Sequence, residues 1–382
     1  MTNFNLFMDD RLIGDLIMRE KSSTFIYSDV WINDGFAIAP DMPVHIKEHH
    51  TSGVHGIFSD SSPDRWGRKL IQRKMGKIRI SEQECILGVA DRLRQGALRY
   101  SLDGGKTFEG QEHRIPPVSS LPKFIRLTDA ILKGEDHDYS ELISNASLGG
   151  ARAKIIVLDG NRQWIAKIPQ IYDQNDIEGW EYVCLSLARK VGITVPDCSL
   201  HGNKNSHTLL IERFDRNEAQ RIHYMSAMTL MGLNDGDEST YIDLAFEIVH
   251  RIGPECLPEL YQRMLLNIML SNTDDHLRNH GFLYHQGWQL SPAFDITISP
   301  RPYASTHALR LNGEDPDNFK TALAMHDFFG LSKAQAVRIL SNMVRDISQW
   351  QHVAKQFGIS NVASMTDYIF IQQACEALAE YF

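Results

Sequence analysis

The sequence lacks the features that define several common protein classes. Its five cysteines are scattered and form no C-x-x-C pair, so they indicate neither a disulfide framework nor a zinc knuckle. No apolar run approaches the length of a transmembrane helix, and the first residues carry no basic segment of the kind that opens a signal peptide. The net charge of -9 argues against a protein that coats nucleic acid or an anionic membrane by itself. We therefore expect a cytoplasmic protein.

Three common catalytic signatures are also missing. The chain contains no Walker A loop, no Rossmann glycine motif and no nucleophile elbow. It is nevertheless long, with 382 residues of which 43% are hydrophobic. A single core usually stops growing at about 250 to 300 residues, so the length predicts two lobes.

The most informative segment is the polar loop 272–282, which reads Asn-Thr-Asp-Asp-His-Leu-Arg-Asn-His-Gly-Phe. Asp274 and Asn279 are separated by four residues, as are the base and the metal-binding amide of a protein-kinase catalytic loop. A carboxylate can take the proton of a substrate hydroxyl, and an amide oxygen can face a magnesium ion. A polar loop that ends a helix would look similar. His276 and His280 have i, i+4 spacing, but the loop context favours hydrogen-bonded histidines over zinc ligands.

Upstream residues are candidates for the phosphate-binding half of a kinase. The small residues from Ser147 to Ala151 would let backbone N–H groups approach phosphate oxygens, although a glycine pair before a strand is also a simple turn. Lys167 lies inside a predicted strand, and its Ile-Ala-Lys context is similar to the kinase strand V-A-I-K; an edge-strand lysine is the alternative. Glu181, early in the next predicted helix, can pair with Lys167 or simply complement the helix dipole.

Two later segments complete the order of kinase elements. Glu212-Arg-Phe214-Asp ends the last predicted strand of the first half, where backbone groups and an aromatic ring can receive an adenine; a plain interdomain linker would look alike. Asp295 lies in an apolar stretch, as the metal-binding Asp of the kinase D-F-G motif does. Burying a carboxylate in such a stretch costs free energy unless the carboxylate is hydrogen-bonded or binds a metal. The joint order of these elements predicts phosphoryl transfer.

Periodicity predicts a mixed α/β first half and a helical second half. Strands are expected at 24–27, 35–40, 151–158, 164–169 and 207–212. Helices are expected between Ser61 and Gly76, from a capping box at Ser81, and at 178–191, 241–251, 258–270, 332–353 and 365–381. The helix within 63–77 has a basic face, which is either a solvated surface or a docking face for a nucleic-acid-bound or acidic partner.

Five segments carry a resemblance to a known family: 58–67, 88–100, 145–154, 272–279 and 292–295. With these motifs the chain resembles the HipA-type serine/threonine kinases of bacterial toxin–antitoxin systems. The resemblance covers nearly the whole chain, and beyond about residue 319 the sequence is recognised only as helical.

The resemblance implies a role for each candidate residue. Asp274 would be the catalytic base, and Asn279 and Asp295 would bind Mg²⁺. The residues that would bind ATP are Ser147, Leu148, Gly149, Gly150, Ala151, Lys154, Lys167, Glu181, Glu212 and Phe214. Ser147 would also be autophosphorylated, and the added dianion would expel the phosphate loop and switch the kinase off.

Partners are implied in the same way. They are a small helix-turn-helix antitoxin, operator DNA reached through that antitoxin, and a protein substrate such as an aminoacyl-tRNA synthetase; no membrane is implied. The sequence departs from the family pattern in two places. The segment after Arg221 lacks the usual Gln-Glu-Asp run, and Thr273 replaces the arginine that reads a phosphorylated activation loop in eukaryotic kinases. We therefore predict control through Ser147.

The predicted fold is α+β, two-lobed and protein-kinase-like. It would comprise a HipA-like N-terminal subdomain (1–118), an ATP-gripping part of a mixed α/β N-lobe (119–214), and an all-α C-lobe with the catalytic loop (215–382). The predicted activity is ATP- and Mg²⁺-dependent phosphorylation of serine or threonine on a translation factor. Two alternatives stay open: a kinase-fold phosphotransferase for small molecules, and an inactive kinase-fold binding protein.

Overall fold

The protein is described from a computed structural model. The structure describes residues 1–63, 65–108, 114–135, 142, 152–203, 206–218, 220–359 and 362–381. The chain forms two compact units, one made of residues 1–172 and 210–234 and the other of residues 173–209 and 235–382. Within the described part of the chain, every helix is too short or too polar to span a lipid bilayer.

Strands and helices alternate irregularly along the chain. The strands are β1 (Thr2–Met8), β2 (Arg11–Met18), β3 (Ser22–Tyr27), β4 (Glu48–Ser52), β5 (Leu98–Ser101), β6 (Lys154–Asp159), β7 (Arg162–Lys167), β8 (Cys198–Asn203), β9 (Ser206–Glu212), β10 (Arg216–Asn217), β11 (Gln220–Arg221), β12 (Tyr224–Ser226), β13 (Gly281–Tyr284) and β14 (Trp288–Leu290). The helices are α1 (Asp29–Asp34), α2 (Gly56–Ser59), α3 (Arg65–Met75), α4 (Glu82–Leu87), α5 (Leu121–Lys133), α6 (Ile177–Lys190), α7 (Ala227–Leu230), α8 (Tyr241–Arg251), α9 (Leu257–Met269), α10 (Phe319–Ala324), α11 (Lys333–Ile347), α12 (Trp350–Gln356) and α13 (Ile371–Leu378).

A five-stranded sheet in the order β4-β3-β2-β1-β5 opens the first unit. Its four strand pairings are all antiparallel. The sheet buries alternate side chains in the core, among them Phe4, Leu6 and Phe25, as the period-2 geometry of a strand predicts. Gly14 lies opposite Tyr27, and a Cβ atom on Gly14 would lie 2.1 Å from the carbonyl oxygen of Ile26. A side chain at this position would therefore clash with the backbone of β3, whereas glycine fits.

The strand predicted at 35–40 is wrong, whereas the one at 24–27 is confirmed within β3. Residues 35–40 form a loop, although Ile38 and Ala39 are fully buried. Side chains make the hydrogen bonds that a neighbouring strand would otherwise make. The Tyr27 hydroxyl accepts the Ile38 N–H at 3.1 Å, and the Trp31 indole donates to the Phe36 carbonyl at 2.9 Å. A short apolar run can thus be buried without strand pairing once side chains satisfy its backbone.

The predicted hairpin after residue 151 is confirmed as β6 and β7, which pair antiparallel from Lys154 opposite Lys167 to Asp159 opposite Arg162. The inward residues of both strands pack with Phe124 of α5 in one apolar cluster. The capping box at Ser81 is also confirmed, because the Ser81 and Glu84 side chains exchange hydrogen bonds with each other's backbone.

A buried histidine makes the first unit sensitive to acid. His223 is 3% exposed and donates to the Ile38 carbonyl at 2.8 Å, and burial lowers the pKa of His223 to about 4. Below about pH 6.5, His223 binds a proton in the unfolded chain but not in the folded chain. The free energy of unfolding therefore falls between about pH 6.5 and pH 4.

His223→Gln is expected to remove most of this loss. A shift of this size corresponds to roughly 3 kcal/mol across the window. Glutamine can still donate to Ile38 but does not titrate. Urea unfolding at pH 7 and pH 4.5, with exposed His45→Gln as the matched control, measures the difference. Equal acid loss in all three proteins would contradict the assignment.

The second unit is built around α9. The last two turns of α9 are buried on every face, which marks it as the central helix. The predicted helix at 178–191 is confirmed as α6, whose N-cap Asp176 accepts the Gly179 N–H at 3.1 Å and is also bonded to the His207 ring. The helices predicted at 241–251 and 258–270 are confirmed as α8 and α9.

The all-α second half is a wrong prediction, because β13 and β14 form an antiparallel hairpin there. Gln286 turns the chain with a φ of 60°, and the His285 N–H bonds the Gly287 carbonyl at 2.8 Å. The two strands have four and three residues, too few for a clear period-2 pattern. The helix predicted at 332–353 is split into α11 and α12, and that at 365–381 is reduced to α13 between two 3₁₀ segments.

Candidate active site

The predicted catalytic loop leaves the C-terminus of α9 and is fixed by backbone hydrogen bonds. Ser271 has a φ of 55°, a left-handed conformation that turns the chain out of the helix. The carbonyls of Thr273 and Asp275 accept from Ala308 N at 3.0 Å and from Leu309 N at 2.7 Å. The residue between them, Asp274, is therefore held on both sides by the same neighbouring segment.

Asp274 itself points to solvent and has no side-chain partner among the described residues. The Asn279 side-chain nitrogen donates to the Asp274 carbonyl at 3.3 Å, so the structure brings the predicted base and the predicted metal ligand together. A cavity of about 660 Å³ opens beside Asp274, within the usual range of ligand sites of roughly 300–1,000 Å³. Its lining residues are Thr273, Asp274, Ser299, Pro300, Arg301, Thr306, His307 and Ala308.

A buried network lies directly beside exposed Asp274 in the chain. The Asp275 carboxylate accepts from His280 Nε2 at 3.0 Å and from the Tyr241 hydroxyl, and Asn267 donates to that hydroxyl at 3.1 Å. Asp275 and His280 are each 2% exposed. Burial alone would raise the pKa of Asp275, but the interactions with His280 and Tyr241 outweigh it and keep the pKa below its usual range. The carboxylate therefore stays charged inside the unit.

One wall of the cavity is braced by Asp317. Its carboxylate accepts the backbone N–H of His307 and of Leu311, each at 3.0 Å, and the Arg310 guanidinium at 2.9 Å. Burial lowers the pKa of His307 in spite of nearby Asp275 and Asp317, so this ring is neutral around pH 7. The wall is thus rigid and carries no charge of its own at His307.

Asp295 lies in the same unit, in a segment bonded to the catalytic loop. Two residues later, the Thr297 hydroxyl donates to the Asn272 side chain at 3.4 Å, and Ser299 N bonds the Ser271 carbonyl at 3.3 Å. Asp295 is half-buried and has a φ of 55°. Non-glycine residues in this conformation concentrate at functional sites.

In the first unit, the structure brings Lys154 and Lys167 directly opposite each other across the β6–β7 pair. Lys154 is 7% exposed. Side chains directly opposite in an antiparallel pair lie on the same face, about 4.5–5.5 Å apart at Cβ. Two lysine side chains therefore leave this end of the hairpin on the same face, next to the start of β6.

The Glu-Arg-Phe-Asp segment alternates between two faces. Glu212 and Phe214 are half-buried; the Glu212 carboxylate accepts from Arg162 at 3.0 Å, and the Phe214 ring lies 6.3 Å from that of Tyr224. Arg213 and Asp215 are each 4% exposed. The predicted adenine contacts therefore occupy the more accessible face, and the two other residues face the core.

The remaining candidates are Glu181 and the predicted phosphate loop. Glu181 is 3% exposed on α6 in the second unit, and its pairing with Lys167 stays a prediction. Ser147, Leu148, Gly149, Gly150 and Ala151 lie outside the described residues.

On the basic helix α3, Arg68 forms two hydrogen bonds with Glu82 at 2.6 and 2.7 Å, and neighbouring Lys77 pairs with Glu84. Part of the positive charge of this face is therefore neutralised by residues of the same unit.

The predicted hydrogen-bonded histidine at His280 is confirmed, but sequence reasoning missed its partner Asp275 and the contribution of Tyr241. One signal was present: Asp275 and His280 have the same spacing as Asp274 and Asn279, shifted by one residue. The contribution of Tyr241 from α8 had no signal, because its distance along the chain is 34 residues.

Asn279 and Asp295 stay the predicted magnesium ligands. The described residues contain no group of three His, Cys, Asp or Glu side chains placed to hold a metal. Mg²⁺, however, usually takes one or two protein oxygens and fills its other positions with water and phosphate. Because the Asn279 nitrogen is used within the loop, its oxygen is the atom that would face a cation, and Asp295 would supply a carboxylate.

Comparison with known proteins identifies the family. The HipA-like C-terminal domain matches residues 146–351, and the HipA N-terminal domain matches residues 4–101. No curated protein matches the chain significantly.

Among solved structures, HipA from the complex of the Shewanella oneidensis MR-1 toxin–antitoxin system HipA, HipB and operator DNA is similar over 99% of this chain and 97% of its own, with a TM-score of 0.73 and 16% identity. The Helicobacter pylori proinflammatory kinase CtkA is similar over 61% of this chain and 94% of its own, with a TM-score of 0.45 and 17% identity. Since the C-terminal domain match alone spans more than half of the sequence, this mixed α/β chain belongs to the HipA-type toxin family.

Proposed function

We propose that this protein is an ATP- and magnesium-dependent serine/threonine protein kinase that acts as the toxin of a toxin–antitoxin pair. The observation that carries the proposal is the placement of Asp274: an exposed carboxylate, held between two backbone-anchored neighbours, lines a cavity and touches the Asn279 amide through its own carbonyl. A free carboxylate beside an oxygen ligand is what in-line transfer to a hydroxyl requires.

The residues of the second unit would act as follows. A serine or threonine side chain would enter the cavity, and Asp274 would orient its hydroxyl and accept its proton. The hydroxyl oxygen would bond to the γ-phosphorus of ATP as the bond from that phosphorus to the ADP oxygen breaks, and ADP would leave. Asn279 and Asp295 would hold magnesium, which when bound neutralises charge on the phosphate oxygens. The anchored backbone around Asp274 keeps the base in place, so little ordering is needed at the moment of reaction.

The first unit would grip the nucleotide. Lys154 and Lys167 lie opposite each other on the hairpin, and a strand lysine is the usual side-chain ligand of ATP phosphates in kinases. Glu212 and Phe214, on the accessible face of their segment, would receive the adenine. The loop from Ser147 would cover the phosphates, as the family resemblance implies.

The proposed partners follow from family membership. The similar Shewanella protein was solved with HipB and operator DNA. By analogy, we assign to this chain a small helix-turn-helix antitoxin, which would bring it to operator DNA in spite of its net charge of -9. The substrate would be a translation factor such as an aminoacyl-tRNA synthetase, and the compartment the cytoplasm.

The proposal is tested by incubating the purified protein with Mg²⁺ and labelled ATP and locating the phosphate by mass spectrometry. Phosphate on protein serine or threonine is the expected result. Consumption of ATP with phosphate only on added metabolites, such as aminoglycosides, would instead identify a small-molecule phosphotransferase.

Ser147→Ala is expected to remain an active kinase that no longer silences itself. In the native protein, a phosphate on Ser147 would compete for the N–H groups that bind ATP phosphates, so transfer to a substrate should decline with time. In the variant, transfer should continue at its initial rate. Exposed Ser119→Ala is the matched control and should decline like the native protein. Equal decline in all three would show that Ser147 is not the switch.

A further inference from the structure

The catalytic loop is closed by a second pair of side chains that the proposed reaction does not use. Asp275 and His280 follow directly after Asp274 and Asn279, and His280 Nε2 donates to Asp275 Oδ1 at 3.0 Å. This bond joins the two ends of the loop across five residues, as the bond from Asn279 to the Asp274 carbonyl does on the exposed side. The buried pair therefore repeats the exposed pair one residue later.

The buried pair is also anchored to the helices behind it. The other Asp275 oxygen accepts from the Tyr241 hydroxyl of α8. Asn267 of α9 donates to that hydroxyl at 3.1 Å and accepts from Asn272 at 3.0 Å. Both Asp275 oxygens are thus satisfied inside the unit, and the bonds to Tyr241 and to Asn267 fix the loop to α8 and to α9.

We propose that Asp275 and His280 are positioning residues that hold Asn279 beside Asp274, so that this buried pair sets the affinity of the site for the divalent cation. The reason is geometric. Each of the two functional residues is one peptide bond away from a member of the buried pair, so rotation of either would break the Asp275–His280 bond or leave a buried charge unpaired. This inference rests on the proposed function for the identity of the metal site.

The closing experiment measures metal binding without turnover. Mn²⁺ is titrated against the protein and a non-hydrolysable ATP analogue, and free Mn²⁺ is followed by electron paramagnetic resonance. Loss of a group that orients a metal ligand typically costs 10- to 100-fold in affinity or activity. We expect Asp275→Asn and His280→Leu to weaken Mn²⁺ binding by about this factor, and kcat for self-phosphorylation to fall more than KM for ATP changes. His280→Gln, which retains a donor, should recover most of the affinity.

A matched control is available in the same unit. Asp176 and His207 form another buried pair, at the N-terminus of α6, and are 6% and 7% exposed. Asp176→Asn should lower the melting temperature without weakening Mn²⁺ binding. If Asp275→Asn and Asp176→Asn lower stability equally and neither changes Mn²⁺ affinity, the pair is merely structural and the inference is overturned.

Two further outcomes keep the inference separate from the proposed function. Tyr241→Phe removes one hydroxyl without creating a cavity, so it replaces Asp275→Asn if that variant does not fold. The inference would be overturned if Tyr241→Phe, His280→Gln and His280→Leu all bind Mn²⁺ with native affinity. A native protein that binds Mn²⁺ and nucleotide but transfers no phosphate would reject the kinase function, while the affinity series would still decide the role of the pair. A native protein that binds no Mn²⁺ with nucleotide would reject both.

Discussion

Asp274→Ala is expected to lower the rate of phosphoryl transfer by roughly 10²–10⁴-fold, the usual contribution of a general base. Nucleotide binding should be nearly unchanged, because the carboxylate acts on the acceptor hydroxyl and not on ATP. The fold should also be retained, since the Asp274 side chain is exposed and has no side-chain partner among the described residues. Single-turnover transfer to Ser147, together with nucleotide titration, measures both quantities.

Two variants sharpen this prediction. Asp274→Asn keeps the shape of the side chain but cannot take a proton, so it should lose nearly as much activity as the alanine variant. Asp367→Ala removes another exposed acid of the same unit that does not line the cavity and should transfer at the native rate. Transfer by Asp274→Asn within a few-fold of native would show that this carboxylate is not the base.

Asp215→Ala is expected to destabilise the first unit by about 3–5 kcal/mol, the usual cost of leaving a buried charge without its partner. The Asp215 carboxylate accepts from Arg213 Nη2, Arg216 Nη1 and Gly96 N, each at 2.8 Å. These bonds hold the loop at Gly96 to the segment after β9, and burial strips the two guanidinium groups of water. The alanine variant would leave both cations facing each other.

The urea dependence of unfolding measures this loss of free energy. The matched control is Asp34→Ala, which removes an exposed partner of Arg11 in the same unit and should cost at most about 1 kcal/mol. A pH series adds a second check. Arg213 and Arg216 outweigh burial and hold the pKa of Asp215 below its usual value of 3.8, so its contribution is present above about pH 4 and is lost as the pH falls further. Similar losses in the two variants would contradict the buried network.

Several elements could be predicted because their signals are local. The capping box at Ser81, the helix 178–191 and the hairpin after residue 151 each depend on residues within a few positions of one another. The same holds for the spacing of Asp274 and Asn279, which the structure places in contact. Other elements could not be predicted: the run 35–40 is buried by side chains of Tyr27 and Trp31 instead of strand partners.

The sequence by itself determined which residues are candidates for the proposed chemistry, because a base, an amide ligand and a second acid need only fixed residue types in a fixed order. Tertiary structure alone decided which of the two adjacent aspartates is exposed to solvent and can reach a substrate. Asp274 is exposed and Asp275 is buried, a distinction made by Tyr241 and His280 and not by any feature of the Asp-Asp dipeptide. Glu212 and Phe214 are likewise more exposed than Arg213 and Asp215. Exposure and hydrogen bonding depend on contacts with residues that are distant along the chain, such as the bond from Gly96 N to Asp215.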